Sequence, residues 1–473
     1  MSPIKPQILK GFRDALPGDM LFREKVISQI RAVFESYGFA PLNTPALEYK
    51  NILLGYGDEA SKQIYLFREP EGNEVGLRFD LTVPLSRVVA QYVDLPRPFK
   101  RYQVQPVWRY DKPDPGRFRE FIQFDIDTVG TTSMLADSEI IAAMHDSLTR
   151  LALPFKIRFS NRKILNSLIR FTAVPEHMAH DVFRVLDKLE KQGLESVKLE
   201  LGPGRVDESG DPIRGLGLAA QQIARFEEFL NLPQRTREES LQSVRSLFKD
   251  TPGADEGINE LVQIHEYLMA LEIPDEKAII DLSIARGLDY YTGPIFEAVL
   301  VDKRGARVGS VMGGGRYDQL IGQFTGREEP ATGASIGVDR LVSAMVQLQD
   351  ITLRPSTAEV LVTVMMPERV ADYARIANQL RQAGINTELY MGREKSIGKQ
   401  LQYADRQMIP VAVIAGSNEF DAGDVSIKDL DRIRREKVEI KDRKEWVERK
   451  VGQVTVPLSR LVEEIGSMLN AGE

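Results

Sequence analysis

Arg101-Tyr-Gln-Val-Gln-Pro-Val-Trp-Arg109-Tyr-Asp111-Lys-Pro-Asp-Pro-Gly116-Arg117-Phe-Arg119-Glu-Phe121-Ile-Gln123-Phe-Asp125-Ile-Asp127 is the stretch whose reading decides the fold. Arg101, Gln103, Gln105 and Arg109 alternate with other residues before the loop, and Phe121, Gln123, Asp125 and Asp127 do so after it. Ile122, Phe124 and Ile126 fill the intervening positions. Strand side chains point to opposite faces in turn, so two strands with one apolar and one polar face follow, joined at Asp111–Gly116. An antiparallel hairpin with a wet face accounts for this pattern. Arg109, Arg117 and Arg119 around the Pro-Gly loop add a second reading, an anion clamp, because guanidinium offers bidentate donors to phosphate.

Working outward, no strand–helix alternation runs through the first 345 residues, which argues against a doubly wound parallel sheet there. Residues 75–82 and 98–130 read as strands, and a short strand reaches Pro45. Helices are expected from Asp19 to Gly38, with Val26, Ile27, Ile30, Val33 and Phe34 on one face, and over 136–151. From about 161 to 275 the pattern is mostly helical and reads as an insertion. Strand-like sequence resumes at 279–300, and a helix starts near Val338. Arg354-Pro355-Ser356 is a plausible linker. Beyond it, 360–364, 369–383, 387–390, 399–408 and 411–415 read as βαβαβ, a separate α/β domain, with further strands near 424–429 and 437–440 and a helix near 458–470. The predicted architecture is an α+β core over 1–160 and 276–350, a helical insertion over 161–275, and a C-terminal α/β domain over 357–473.

The chain's 473 residues contain no cysteine, so disulfides, thiolate zinc sites and a cysteine nucleophile are excluded. Net charge of −7 argues against a wholly basic nucleic-acid coat. No secretory signal and no apolar run of about 20 residues is present, so no membrane role is expected. His177 and His180 are read as two surface histidines, since no third ligand accompanies them, and no metal site is predicted. P-loop, dinucleotide-binding, nucleophile-elbow and H-E-x-x-H patterns are all missing.

Three further clusters stand out. Arg286-Gly-Leu-Asp-Tyr290-Tyr291-Thr-Gly293 brackets a tyrosine pair with glycines, either a strand between turns or backbone in close approach to a ligand. Gly313-Gly314-Gly315-Arg-Tyr317-Asp is either a flexible loop or space cleared for a flat ligand. Gly337-Val-Asp-Arg340-Leu places an arginine at a helix start, which opposes the macrodipole unless both share an anion.

In this order the clusters resemble the histidyl-tRNA synthetases, a family of class II aminoacyl-tRNA synthetases. Thr44-Pro-Ala-Leu-Glu48 looks like class II motif 1, Arg109–Phe121 with Gln123 and Asp127 like motif 2, and Gly337–Leu341 like motif 3. The segments 286–293 and 313–318 look like the two signatures particular to histidine enzymes. Leu77-Arg-Phe-Asp80-Leu-Thr82 is similar to the L-R-x-D-L-T form of a further signature. Asp111 and Asp127 stand where many members carry glutamate.

The resemblance implies a six-stranded antiparallel catalytic sheet, an anticodon-binding domain, a cytoplasmic homodimer, and tRNA(His), histidine and ATP as partners, with Mg2+ accompanying ATP and pyrophosphate. It implies Arg109 and Arg286 on the α-phosphate as the catalytic cations, and Arg117 and Arg340 on the outer phosphates. Asp111 belongs to the ATP site, with Phe121 stacked on adenine. Asp80, Thr82 and Gln123 would bind the histidine α-amino group, and Asp127 and Tyr291 the imidazole. Tyr290 and Tyr317 would line that pocket, which Arg286 also borders. The alternative is a catalytically silent, histidine-sensing relative of the ATP phosphoribosyltransferase regulatory-subunit type.

Overall fold

Register turns the quoted stretch into a hairpin. In a computed structural model of the chain, strand Phe99–Trp108 pairs antiparallel with Glu120–Val129, which sets Arg101 opposite Asp127, Gln103 opposite Asp125 and Gln105 opposite Gln123. The structure describes residues 4–54, 62–112, 116–207, 209–233, 236–284, 290–302, 307–394, 396–436 and 452–470. The apolar face of the hairpin is buried. Phe124 and Ile126 are inaccessible, and the Phe124 ring meets Phe34 of helix Pro17–Ser36 edge-on at 4.9 Å.

Four more strands extend the hairpin. Ala331–Gly337 pairs with Glu120–Val129, followed in order by Arg307–Arg316, Pro294–Val301 and Phe155–Asn161, every neighbour antiparallel. That is the expected six-stranded run. The sheet is wider than expected, because short strands Ala40–Pro41 and Ala278–Ile280 add parallel to its two edges. Helix Met134–Arg150 is N-capped by Ser133 and buries Ile140, Ile141, Met144 and Leu148. Helix Val338–Gln349 leaves the strand that carries Ser335.

Among the described residues, 162–270 hold six α-helices, from Arg162–Phe171 to Ala254–Ala270, a short 3-10 helix, Glu176–Met178, and one small hairpin, Gly204–Val206 with Pro212–Arg214. Their interior contains Phe183, Phe226, Phe229 and Phe248, all buried.

Several sequence expectations need correction. The strand expected over 75–82 ends at Leu77, and Thr82–Gln91 is a helix. Asp80 Oδ1 accepts the backbone N–H groups of Thr82 and Val83 at 3.0 and 3.1 Å, which starts that helix. Pro84 falls in its first turn, where no N–H is needed, so proline does not forbid it. The strand expected over 279–300 is two strands, Ala278–Ile280 and Pro294–Val301, lying on opposite sides of Phe155–Asn161. Gly313–Gly315 lie inside strand Arg307–Arg316, so the flexible-loop reading is wrong.

The chain divides into two compact units, Met1–Arg13 with Lys25–Ile351, and Asp14–Glu24 with Thr352–Glu473. The second contains a five-stranded sheet in the order Thr387–Leu389, Val360–Val362, Val411–Ile414, Asp424–Asp429, Gln453–Pro457, its first three strands parallel and its last two joined antiparallel. Val360, Val362, Ile376, Leu380, Val411, Val413, Leu461 and Ile465 form its own buried core. The strand expected at 437–440, with most of the charged stretch 432–450, lies outside the described residues.

Candidate active site

Two cavities open side by side on the polar face of the six-stranded sheet. One, of about 320 Å³, is lined by Arg109, Asp111, Arg117, Phe121 and Arg340, together with Met312 and Asp339. The other, of about 420 Å³, is lined by Asp80, Thr82, Asp125, Asp127, Tyr290, Tyr291 and Tyr317. Arg109, Gln123, Gly313 and Ser335 border both. Every described residue expected at the nucleotide therefore lines the first cavity, and every described residue expected at the amino acid lines the second. Arg286 lies outside the described residues.

The first cavity is the basic one. The Arg109 guanidinium sits 4.3 Å above the Phe79 ring and 5.3 Å from that of Phe121, and its Nε donates to the Phe79 carbonyl at 3.0 Å. Stacking of this kind orients the flat cation while leaving its other donors available. Arg117 is half-exposed and pairs with Asp111 at 2.6 Å. An ion pair so exposed contributes little to stability. Arg340 donates to the Ser310 carbonyl at 3.2 Å from the first turn of its helix. Asp339 is already engaged, taking Arg13 at 2.6 Å and the Ile122 N–H at 2.8 Å.

The second cavity is acidic, with three carboxylates in its lining. Asp127 is buried, held by Arg101 at 2.7 Å and by the Tyr317 hydroxyl, which donates to its Oδ1. Burial pushes the Asp127 carboxyl up, opposed by Arg101 and Tyr317. Asp125 is pushed up to about 7, chiefly by burial; Arg101 opposes the shift and Asp127 reinforces it. Crowded, desolvated carboxylates favour a cationic ligand, because each added positive charge relieves the cost of ionising them. The Tyr290 and Tyr291 rings lie 4.3 Å apart, with the Tyr290 hydroxyl donating to that of Tyr291 at 3.0 Å.

Glycines make the room. A Cβ at Gly333 would collide with the Asp127 carboxylate, and one at Gly314 with the Gly333 carbonyl. A Cβ at Gly315 would press on the Tyr291 ring at 2.9 Å, whereas one at Gly313 would meet nothing nearer than the Phe296 carbonyl at 3.9 Å.

The sequence reading missed Arg101, Asp125, Ser335 and Asp339 as parts of this site. A signal existed for two of them: Arg101 and Asp125 share the polar face with Gln123 and Asp127, and closing the hairpin across its loop sets Arg101 against Asp127. His177 and His180 are exposed, and no group of three potential metal ligands occurs among the described residues.

Comparison with known proteins agrees with this geometry. Residues 11–341 match the family described as Histidyl-tRNA synthetase, and residues 359–450 the one described as Anticodon binding domain. The chain is 42% identical over 446 residues to the histidine–tRNA ligase of Paracoccus denitrificans, covering 90% of each chain. The crystal structure of histidyl-tRNA synthetase from Nostoc sp. PCC 7120 superposes with a TM-score of 0.81 at 32% identity, over 98% of this chain and 100% of that one. A Bacillus halodurans structure titled as an ATP phosphoribosyltransferase regulatory subunit/histidyl-tRNA synthetase shares the fold, with a TM-score of 0.69 at 24% identity over 85% of this chain and 97% of that one. With its motifs lining one pair of cavities and its similarity extending over nearly the whole sequence, the chain belongs to the histidyl-tRNA synthetase family.

Proposed function

We propose that the two cavities hold the two substrates of a histidine–tRNA ligase, ATP in the basic one and histidine in the acidic one. The observation that carries this reading is their opposite charge on either side of a shared border at Arg109, Gln123, Gly313 and Ser335. A histidine carboxylate at that border lies between its own ammonium, among carboxylates, and a phosphate, among arginines. The carboxylate oxygen attacks the α-phosphorus, the bond to the β-phosphate breaks, and histidyl-adenylate and pyrophosphate result. A terminal ribose hydroxyl of tRNA(His) then attacks the activated carbonyl, and AMP leaves.

Negative charge is the obstacle to the first step, so positioned cations suffice and no protein nucleophile is needed. Arg109 takes the α-phosphate, joined by Arg286 on the strength of the resemblance. Arg117 and Arg340 take the outer phosphates, and Phe121 stacks on adenine. Asp80, Thr82 and Gln123 hold the α-amino group. Asp127 and Tyr291 read the imidazole, with Tyr290 and Tyr317 walling the pocket. Mg2+ travels with the phosphates. Asp111 and Asp339 are the carboxylates that line this cavity, paired with Arg117 and Arg13, so an ion there would rest chiefly on phosphate oxygens and water.

Residues 357–473 serve as the anticodon-binding domain and 161–275 as the helical insertion on a core of 1–160 and 276–350. The active form is a cytoplasmic homodimer. An apolar groove of about 720 Å³ beside Thr44 and Pro45, lined in part by Leu47, Tyr49, Tyr92 and Leu95, is the surface that suits a second copy. No helix among the described residues is long and apolar enough to cross a membrane. A silent histidine sensor would have no use for Arg109, Arg117 and Arg340 in the first cavity.

Aminoacylation tests the assignment. The full chain should charge tRNA(His) with labelled histidine. A chain lacking residues 352–473 should still form histidyl-adenylate but charge tRNA poorly, mainly through a raised KM for tRNA. Equal KM for tRNA in both proteins would refute the role given to the C-terminal unit.

A further inference from the structure

The loop Asp111–Gly116 returns to the sheet through Arg117, Phe118 and Arg119. Arg117 and Phe118 line the basic cavity, whereas Arg119 does not. Arg119 is turned instead to the segment that precedes the first helix. Its backbone N–H donates to the Gly11 carbonyl at 2.8 Å, and its guanidinium donates to the Lys10 carbonyl at 3.3 Å and the Asp111 carbonyl at 3.2 Å. The guanidinium also lies 4.0 Å over the Tyr110 ring. This corrects the three-arginine clamp expected from the sequence, because Arg119 shapes the loop rather than facing an anion. The segment itself is anchored by Phe12, which meets Tyr65 edge-on at 6.4 Å, as Tyr65 meets Tyr110 at 5.7 Å. Gly11 stands at φ 88°, a region that favours glycine, and the turn there leads into Arg13.

Arg13 touches the cavity only through its walls. It donates to Asp339 Oδ1 at 2.6 Å and lies 4.1 Å from the centre of the Phe118 ring; both of those residues line the cavity and Arg13 does not. Asp339 stands in the first turn of helix Val338–Gln349, beside Arg340, and its other oxygen accepts the Ile122 N–H at 2.8 Å. One guanidinium thus joins the N-terminal segment, the returning limb that carries Arg117 and the helix that carries Arg340. We infer that Arg13 is a positioning residue for the outer phosphates of ATP, holding Arg117 and Arg340 on facing walls of the cavity while neutralising Asp339. This rests on the assignment of the basic cavity to ATP. A loop ordered before the ligand arrives spares the binding step that entropy cost. Charge works in the same direction. The Asp339 side chain is 7% exposed, and without this cation a desolvated carboxylate would oppose the phosphates at short range.

ATP–pyrophosphate exchange tests the inference, because its ligands divide the nucleotide into two ends. Pyrophosphate carries the outer phosphates alone, and AMP, used as an inhibitor, carries adenosine and the α-phosphate alone. In Arg13→Ala the KM for ATP and for pyrophosphate should each rise by about 10-fold, the low end of the range for a hydrogen bond to a charged group, since Arg13 acts through its partners. The inhibition constant of AMP and the KM for histidine should stay within about 2-fold, as expected for groups that share no partner with Arg13. Arg13→Lys keeps a cation beside Asp339 but loses the flat fork, and should lie within about 3-fold of the wild type. Equal weakening of AMP and pyrophosphate would mean that the substitution merely deforms the cavity. Unchanged KM values for ATP and pyrophosphate would mean that the outer phosphates do not depend on Arg13, and a lysine variant as weak as the alanine one would mean that the cation at Asp339 does not matter. Each of these results overturns the inference. A wild-type chain with no histidine-dependent exchange would instead overturn the substrate assignment beneath it.

Discussion

Gly313 separates function from folding at the level of one atom. Its missing Cβ leaves open space where the two cavities meet, whereas those of Gly314 and Gly333 would collide with backbone or with Asp127. Gly313→Val should therefore fill the junction at little cost to the strand, which suits β-branched residues. Histidine-dependent exchange should fall by more than about 100-fold, comparable to losing a preorganised transition-state contact, while thermal unfolding shifts by only a few degrees. Substantial retained exchange in a folded variant would show that the ligands do not meet there. At this scale the sequence was informative wherever chemistry and spacing coincide. Asp80, Gln123, Asp127 and the Tyr290-Tyr291 pair could be named from motifs alone. Ser335 could not, because its significance is a cross-strand neighbour, and register across four separate segments is not written in local pattern.

Between elements, Arg78 joins the segment at Thr44 and Pro45 to the hairpin. It is 2% exposed, and its donors reach the Thr44 carbonyl at 2.7 Å, the Pro106 carbonyl at 2.8 Å and Gln105 Oε1 at 2.7 Å. Burial lowers its pKa to about 10, so it remains charged at neutral pH. Arg78→Ala would leave several buried carbonyls without donors, at about 1–3 kcal/mol for each unsatisfied group, partly relieved by water entry. A loss of about 2–4 kcal/mol in urea denaturation is expected, and a loss below about 1 kcal/mol would show that the segment is held by other contacts. Strands with strict alternation, such as Glu120–Val129, were legible from sequence, as were the helices with a clear apolar face. Helix Thr82–Gln91 was not, because it is short, contains a proline and is started by an aspartate that the motif reading had reserved for substrate. The strand pair at 278–301 was misjudged for a related reason: an apolar and aromatic run looks continuous, although its two strands lie on opposite sides of Phe155–Asn161.

Across the whole molecule, charge is distributed by task rather than by domain. The net charge is −7, yet the arginines gather around one cavity while carboxylates line its neighbour. A site that satisfies an imidazole's donor and acceptor leaves its own polar groups unpaired with any other side chain, and such sites reject analogues by about 10⁴-fold or more without editing. The most direct test is ATP–pyrophosphate exchange by the full chain, measured in turn with each of the twenty amino acids at saturating ATP and magnesium. The paired-cavity account predicts exchange with histidine and rates near background with the other nineteen. Exchange supported equally well by another amino acid, or by none, would contradict it.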